Sequence, residues 1–254
     1  MSRSQITNTP REFKTTAHIL IESNGAYQLF GHLPLQQQFI MPDRLGDSWY
    51  YQAGREFPAD GEPTRLCRCG SSARKPYCDN HHMKLVWNPR LTAELDNYMD
   101  HAHKIEGETL DLYDNEKFCN YARFCHPAGG AWRLNKHAVA AADRDMAIRE
   151  SAMCPGGRLS TTERGDDKIY EFDFEPSVVL LEDPAIGVSS GLWVRGGVRI
   201  SREDGMSYQI RNRVVLCRCG ASNNKPFCDG THAARGWMDG LDTLPDGAVL
   251  PNNE

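Results

Sequence analysis

No apolar run in this 254-residue sequence reaches the roughly 18 to 20 residues that span a bilayer, so a membrane-embedded chain is not expected. Its first residues, MSRSQITNTPREFK, lack the apolar core of a secretory signal, which predicts a cytoplasmic protein. An excess of basic charge is also missing. With 29 Lys and Arg against 34 Asp and Glu, the formal net charge is −5, which argues against wholesale nucleic-acid binding. There is no P-loop, no dinucleotide fingerprint in a strand–helix context, and no nucleophile–base motif. The Gly-rich SSGLWVRGG reads as turn and strand rather than as a phosphate loop. These absences predict a chain that is not itself an enzyme, although an accessory subunit of a dehydrogenase or oxygenase stays open.

Cysteine, by contrast, is abundant, with nine residues. In a reducing compartment clustered thiols are more often metal ligands than disulfides. Six of them fall in an internal repeat: LCRCGSSARKPYC at 66–78 aligns without gaps on LCRCGASNNKPFC at 216–228, an offset of 150. Upstream, Tyr27–Leu35 (YQLFGHLPL) matches Leu192–Ile200 (LWVRGGVRI) at an offset of 165. Both alternate as half-buried strands do, around Gly31 and Gly196. The first copy therefore holds about 15 extra residues, placed in the turn-rich stretch 36–64. Each repeat reads as strand, hairpin or loop, strand, then metal loop, and duplicated modules of this kind pack about a pseudo-twofold.

In the second copy, Cys217 and Cys219 are separated by one residue and can share one metal. Cys228 and His232 are four apart, so one helical turn brings both to one face, ready for a second metal. Asp229 suits the exposed amides of that turn. Gly220 and Gly230 would let the backbone approach inorganic sulfide, and Pro226 would stiffen the loop.

Residues 217–232 follow the pattern C-x-C-x2-[ST]-x3-P-x-C-D-G-[STA]-H throughout, and so resemble the CDGSH iron–sulfur family. That resemblance implies a [2Fe–2S] cluster in each copy, with the paired cysteines on an inner iron and the third cysteine and histidine on an outer one. Carried over, Cys217 and Cys219 are inner ligands, and Cys228 and His232 outer. The first copy keeps Cys67, Cys69, Cys78 and His82 but has Asn80 for Gly and His81 for a small residue. Asn tolerates a left-handed backbone, and the preserved spacing favours His82 over His81 as ligand. Zinc is the rival, since three cysteines and a histidine also make a tetrahedral zinc set, but zinc sites usually use C-x2-4-C pairs.

Between the copies, Leu91, Leu95, Met99 and Ala102 fall at helical spacing and predict a helix near 91–103. Val139, Ala142, Met146 and Met153 predict another near 137–153, ended by Pro155. Strand-formers run through 169–174 and 177–181. The remaining cysteines are here: Cys119 and Cys125 in FCNYARFC, and Cys154 in CPGGRL. This segment resembles a divergent mono-cluster ferredoxin, in which the last ligand cysteine precedes a proline. The resemblance implies a third cluster, [3Fe–4S] or [4Fe–4S], with His126 a candidate extra ligand. Three packed thiols and a zinc site are the alternatives.

From Gly191 to Phe227, seven basic residues (Arg195, Arg199, Arg202, Arg211, Arg213, Arg218, Lys225) face two acids, Glu203 and Asp204. They would favour a reduced cluster or dock an acidic partner, but alternation predicts a solvated strand face. The expected organisation is α+β: a CDGSH-type module at 15–90, a central ferredoxin-like, partly helical region at 91–174, and a second module at 175–240. The expected function is one-electron transfer through two [2Fe–2S] clusters. Cluster carriage, cluster storage or redox sensing is the alternative, and the expected partner is a redox or cluster-acceptor protein.

Overall fold

The alternating stretches of the two repeats become the strands of two packed sheets. In the first repeat, after the short strand β1 (Ile6–Thr7), come β2 (His18–Ile21), β3 (Tyr27–Phe30), β4 (Leu35–Pro42), β5 (Ser48–Phe57) and β6 (Thr64–Leu66). The central region supplies β7 (His103–Glu106), β8 (Leu110–Asp114), helices α1 (Ala131–His137) and α2 (Ala141–Met153), β9 (Leu159–Glu163) and β10 (Glu171–Phe172). The second repeat supplies β11 (Ser177–Asp183), β12 (Val188–Arg195), β13 (Arg199–Arg202), β14 (Arg213–Leu216) and α3 (Thr231–Ala234). The fold is α+β. This is a computed structural model, and it describes residues 5–242 together with 244, 245, 248 and 250.

The two repeats exchange strands. One sheet runs β13-β2-β3-β6 and the other β14-β12-β11-β4-β5. In the first, β13 of the second repeat lies parallel on β2, pairing Ile200 with Ile19. In the second, β4 of the first repeat lies parallel on β11, pairing Leu35 with Val178. The turn that sends each strand across falls at Gly31 (φ 84°) and Gly196 (φ 75°), a conformation open to glycine. The expected pseudo-twofold is thus built into the hydrogen bonding. The extra residues of the first repeat form β5 and the turns around it, and β5 pairs antiparallel with β4. Between the sheets, Ile19, Ile21, Leu29 and Leu35 pack on Val178, Leu180, Leu192 and Val194 in one apolar core.

The central region holds an antiparallel sheet β7-β8-β9 with α1 and α2 packed on it. It is fastened to the modules by specific bonds. Tyr51 on β5 donates to the Met153 carbonyl at 2.8 Å, and its ring meets those of Phe124 and Trp193. Arg213 donates to the carbonyls of Cys154, Ser151 and Leu159.

Two expectations fail here. The segment near 91–103 is not an α-helix; only Tyr98–His101 turns, as a 3-10 helix. The amides of Thr92 and Ala93 donate to the Lys225 carbonyl, at 2.7 and 2.8 Å, and those of Asn97 and Tyr98 to the side chains of Asp100 and Gln209, at 2.9 and 2.7 Å, so the amides a helical ladder would use are taken elsewhere. Only part of the basic set is a solvated face, Arg199 being exposed. Arg195, Arg213, Arg218 and Lys225 are buried, because distant acceptors and aromatic rings take their charges in. Arg218 pairs with Glu182 at 2.8 Å and Asp239 at 2.9 Å, Arg213 pairs with Glu171, and Arg195 lies over Trp193 and Phe174. Among the described residues no helix is long and apolar enough to cross a membrane.

Candidate metal centres

Each metal loop is braced by the same set of bonds. The Cys67 amide donates to the Pro76 carbonyl at 2.9 Å and the Cys217 amide to that of Pro226 at 2.7 Å. The Cys78 amide reaches the Arg65 carbonyl, and the Cys228 amide that of Val215, both at 2.8 Å. The hydroxyls of Ser72 and Ser222 donate to the carbonyls of Tyr77 and Phe227, both at 2.7 Å. Asp79 accepts from the amides of Ala73 and His81, and Asp229 from those of Asn223 and Thr231, which joins the two ends of each loop.

These braces bring the eight proposed ligands together as four pairs. Cys67 Sγ and Cys69 Sγ lie 3.8 Å apart, as do Cys217 Sγ and Cys219 Sγ. Cys78 Sγ lies 3.7 Å from His82 Nδ1, and Cys228 Sγ 3.3 Å from His232 Nδ1. A tetrahedral metal about 2.3 Å from each of two thiolates sets them about 3.8 Å apart. Each pair therefore matches two donors on one metal. Yet among the described residues no three donors of either set fall within 4.8 Å of one another. In each loop the donors therefore stand as a Cys–Cys pair and a Cys–His pair.

In the first loop it is His82 that faces Cys78. His81 is half-buried beside it, its amide tied to Asp79. Asn80 takes up the left-handed backbone, φ 61°, that Gly230 has at φ 81°. Gly220 has no room for a side chain. A Cβ there would stand 2.5 Å from the carbonyl oxygen of Cys69, in the other module.

One thiol of each Cys-x-Cys pair is lowered, while burial raises Cys78 and Cys228. Within each Cys-x-Cys pair one sulfur is held by the other's hydrogen bond. Cys67 is pushed down to about 6 and Cys69 up; in the second loop Cys219 is lowered and Cys217 raised. Burial, then the Arg218 charge, push His232 down to about 4, so its imidazole is neutral at neutral pH and has a lone pair for a metal.

The two loops differ in cover. Cys228 and His232 are each 2 % exposed, whereas Cys78 is only half-buried. The second loop lies beneath the central region: Phe118 packs edge-on against Phe227, and Asn224 donates to the Lys117 carbonyl at 2.6 Å. The first loop is flanked by Met83 and Val86, which stand in solvent.

Sequence reasoning missed a tryptophan at the same offset. Trp87 and Trp237 follow His82 and His232 by five residues each. Arg68 lies over the Trp87 ring and Arg218 over Trp237, and the Trp237 amide donates to the His232 carbonyl at 3.0 Å. Extending the repeat past the histidines would have found both.

The three central cysteines come together as well. Cys119, Cys125 and Cys154 line one small pocket, closed by Phe124, Arg158 and Leu159. Burial, then the neighbouring Cys154 and Cys119, push Cys125 up to about 12. His126 is exposed and is not among the residues lining that pocket.

Residues 24–83 and 190–233 both match the family described as iron-binding zinc finger, CDGSH type. Neither comparison with curated proteins nor comparison with solved structures gives a match.

Proposed function

Because the chain carries two copies of the iron-binding CDGSH-type domain, we propose that it holds two [2Fe–2S] clusters, each on three cysteines and one histidine, and passes single electrons to a redox partner. Cys67, Cys69, Cys78 and His82 would hold one cluster, and Cys217, Cys219, Cys228 and His232 the other. The observation that carries this reading over zinc is the pairing of donors. A zinc ion needs all four ligands around one centre, whereas in both loops the Cys–Cys and Cys–His pairs are set apart. A bound [2Fe–2S] centre supplies reversible one-electron chemistry at a potential that histidine ligation raises.

The protein's own part is to hold the donors rigid and to exclude water. Asp79 and Asp229 lock the loops, and the buried Arg68 and Arg218 fix the backbone between the paired cysteines. Arg68 does so by donating to the carbonyls of Gly25, Pro89 and Glu22. At the second site, rigid ligands and a buried surround favour electron passage over release of the cluster. The reduced protein, mixed with a one-electron acceptor such as cytochrome c, should be reoxidised with its iron retained. If cluster moves to an apo-ferredoxin faster than electrons move to the acceptor, cluster carriage is the better reading.

One further observation favours a third centre. Cys119 and Cys125 share one pocket with Cys154, which is remote from them in sequence, and with Arg158. They could hold a [3Fe–4S] cluster, or a [4Fe–4S] cluster with a ligand other than His126. Substituting all three by Ser should remove iron beyond that of the two loops; unchanged iron content would leave three packed thiols.

A further inference from the structure

The two metal loops touch each other through their ligand-bearing backbones, and the contact is reciprocal. Gly70, directly after Cys69, lies on the peptide of Cys219: a Cβ there would stand 2.4 Å from its carbonyl oxygen and 2.7 Å from its carbonyl carbon. Gly220, directly after Cys219, lies on the peptide of Cys69, with 2.5 and 2.7 Å to the same two atoms. Contacts under 3.0 Å leave no room for any side chain, so each glycine is a seat for a ligand of the opposite module. Both have φ near 80°, at 81° and 77°, which a side chain would oppose on its own account.

Two further contacts run from the first module to the second site. Tyr27, on β3 and fully buried, donates its hydroxyl to the carbonyl of the ligand Cys217 at 2.8 Å. It reaches the Pro226 carbonyl at 3.3 Å. Lys75 donates to the carbonyls of Gly70 and Ser72 and lies over the ring of Trp237, whose amide holds the His232 carbonyl. The second site thus takes its inner ligands from its own loop and their backbone positions from the other module.

Building on the two-cluster reading, we propose that Tyr27, Gly70 and Gly220 are positioning residues acting in trans, so that each site's stability and electronic signature depend on the opposite module. Strand exchange explains why. The sheet edges interlock the modules at β2–β13 and β4–β11, and the loops that follow β6 and β14 are brought face to face.

Tyr27→Phe is the cleanest test, because it keeps the ring in the core and removes only the hydroxyl. Signals are assigned to sites with Cys78→Ser and Cys228→Ser chains. Tyr27→Phe should leave the visible circular dichroism and reduced-state paramagnetic signal of the first site unchanged and shift both for the second. Iron loss to a chelator from the second site should quicken about five-fold, equivalent to about 1 kcal/mol for one hydrogen bond. Gly70→Asn tolerates the left-handed backbone but adds the forbidden Cβ, and should disturb the second site as well as its own. Gly205→Asn is the control, a glycine at φ 84° with open space around it. A Tyr27→Phe protein whose second site is unchanged, or a Gly70→Asn effect confined to the first site, overturns the inference with the two-cluster reading intact. A wild-type chain without iron overturns both.

Discussion

Asn80 and Gly230 occupy equivalent places in the two metal loops, both in the left-handed region, yet Gly230 lies against the central region whereas Asn80 is exposed and reached by the Arg65 side chain. A Cβ at Gly230 would lie 3.2 Å from the Cβ of Tyr121 and 3.3 Å from the Cys119 carbonyl oxygen. The bare backbone is what lets the central region close over the second site. Asn80 keeps the loop conformation and holds its side chain beside Cys78, with the Oδ1 of Asn80 3.9 Å from the sulfur. Substituting Gly230 by Asn should preserve the loop and lift this cover. In a timed chelation assay, wild-type iron should leave the first site before the second, and Gly230→Asn should bring the two rates together. Equal rates in the wild type would contradict the asymmetry.

The buried Arg218 faces two buried carboxylates, Glu182 and Asp239. Removing one member of a buried ionic group leaves uncompensated charge, at a cost of about 3–5 kcal/mol. Arg218→Ala should destabilise the chain by that order and empty the second site first. Arg68→Ala, at the equivalent position of the first loop, loses hydrogen bonds to carbonyls but strands no acid, and should cost less. Denaturant midpoints of the two variants compare these outcomes directly.

Glu150, on α2, is fully buried, and neither of its carboxylate oxygens finds a hydrogen-bond partner among the described residues. Burial lifts it from 4.5 to about 8, against the pull of Arg149 and with a push from Asp47. The folded chain keeps this proton while the unfolded chain has lost it. Stability from this group is therefore complete below pH 4.5 and falls as pH rises toward about 8, at up to roughly 1.4 kcal/mol per pH unit. Glu150→Gln cannot ionise, so it should gain on the wild type as pH rises through that window. Denaturation at the two ends of the window checks this, and parallel stability curves would refute it.

Of the four proposed ligands of the second site, His232 alone would bring no negative charge. His232→Cys adds an anionic thiolate, which disfavours the reduced state, so the second site's potential should fall toward the range of all-cysteine centres. A redox titration that finds the potential unmoved would remove His232 from the ligand set.

The metal loops were legible because their chemistry is local: ligands, bracing Ser and Asp, and the left-handed residue all lie within about 16 positions of one another. The extra hairpin was legible as a difference between two offsets. Strand exchange was not, since alternation at Tyr27–Phe30 or Arg199–Arg202 marks a face and says nothing about which strand lies alongside. The burial of Arg195, Arg213 and Arg218 was illegible for a related reason. Alternating charges read as solvated until partners such as Asp239, or the Ser151 and Cys154 carbonyls, are brought up by the fold. Leu91, Leu95 and Met99 share a helical period, but the Asn97 and Tyr98 amides, which a helix would turn inward, go to the side chains of Asp100 and Gln209. Conversely, Cys119, Cys125 and Cys154 were grouped by motif, and the fold does bring them to one pocket, while His126, grouped with them by nearness in sequence, is exposed and does not line it.

The central claim is two binuclear iron–sulfur centres on paired donors. Metal and acid-labile sulfide analysis of the anaerobically purified chain, with electron paramagnetic resonance of the reduced form, tests it most directly. Two iron and two sulfide per loop predict a red-brown protein with four of each, or more if the central thiols also hold a cluster. The reduced form should show two distinct [2Fe–2S] signals. A colourless protein holding stoichiometric zinc and no iron would contradict the account.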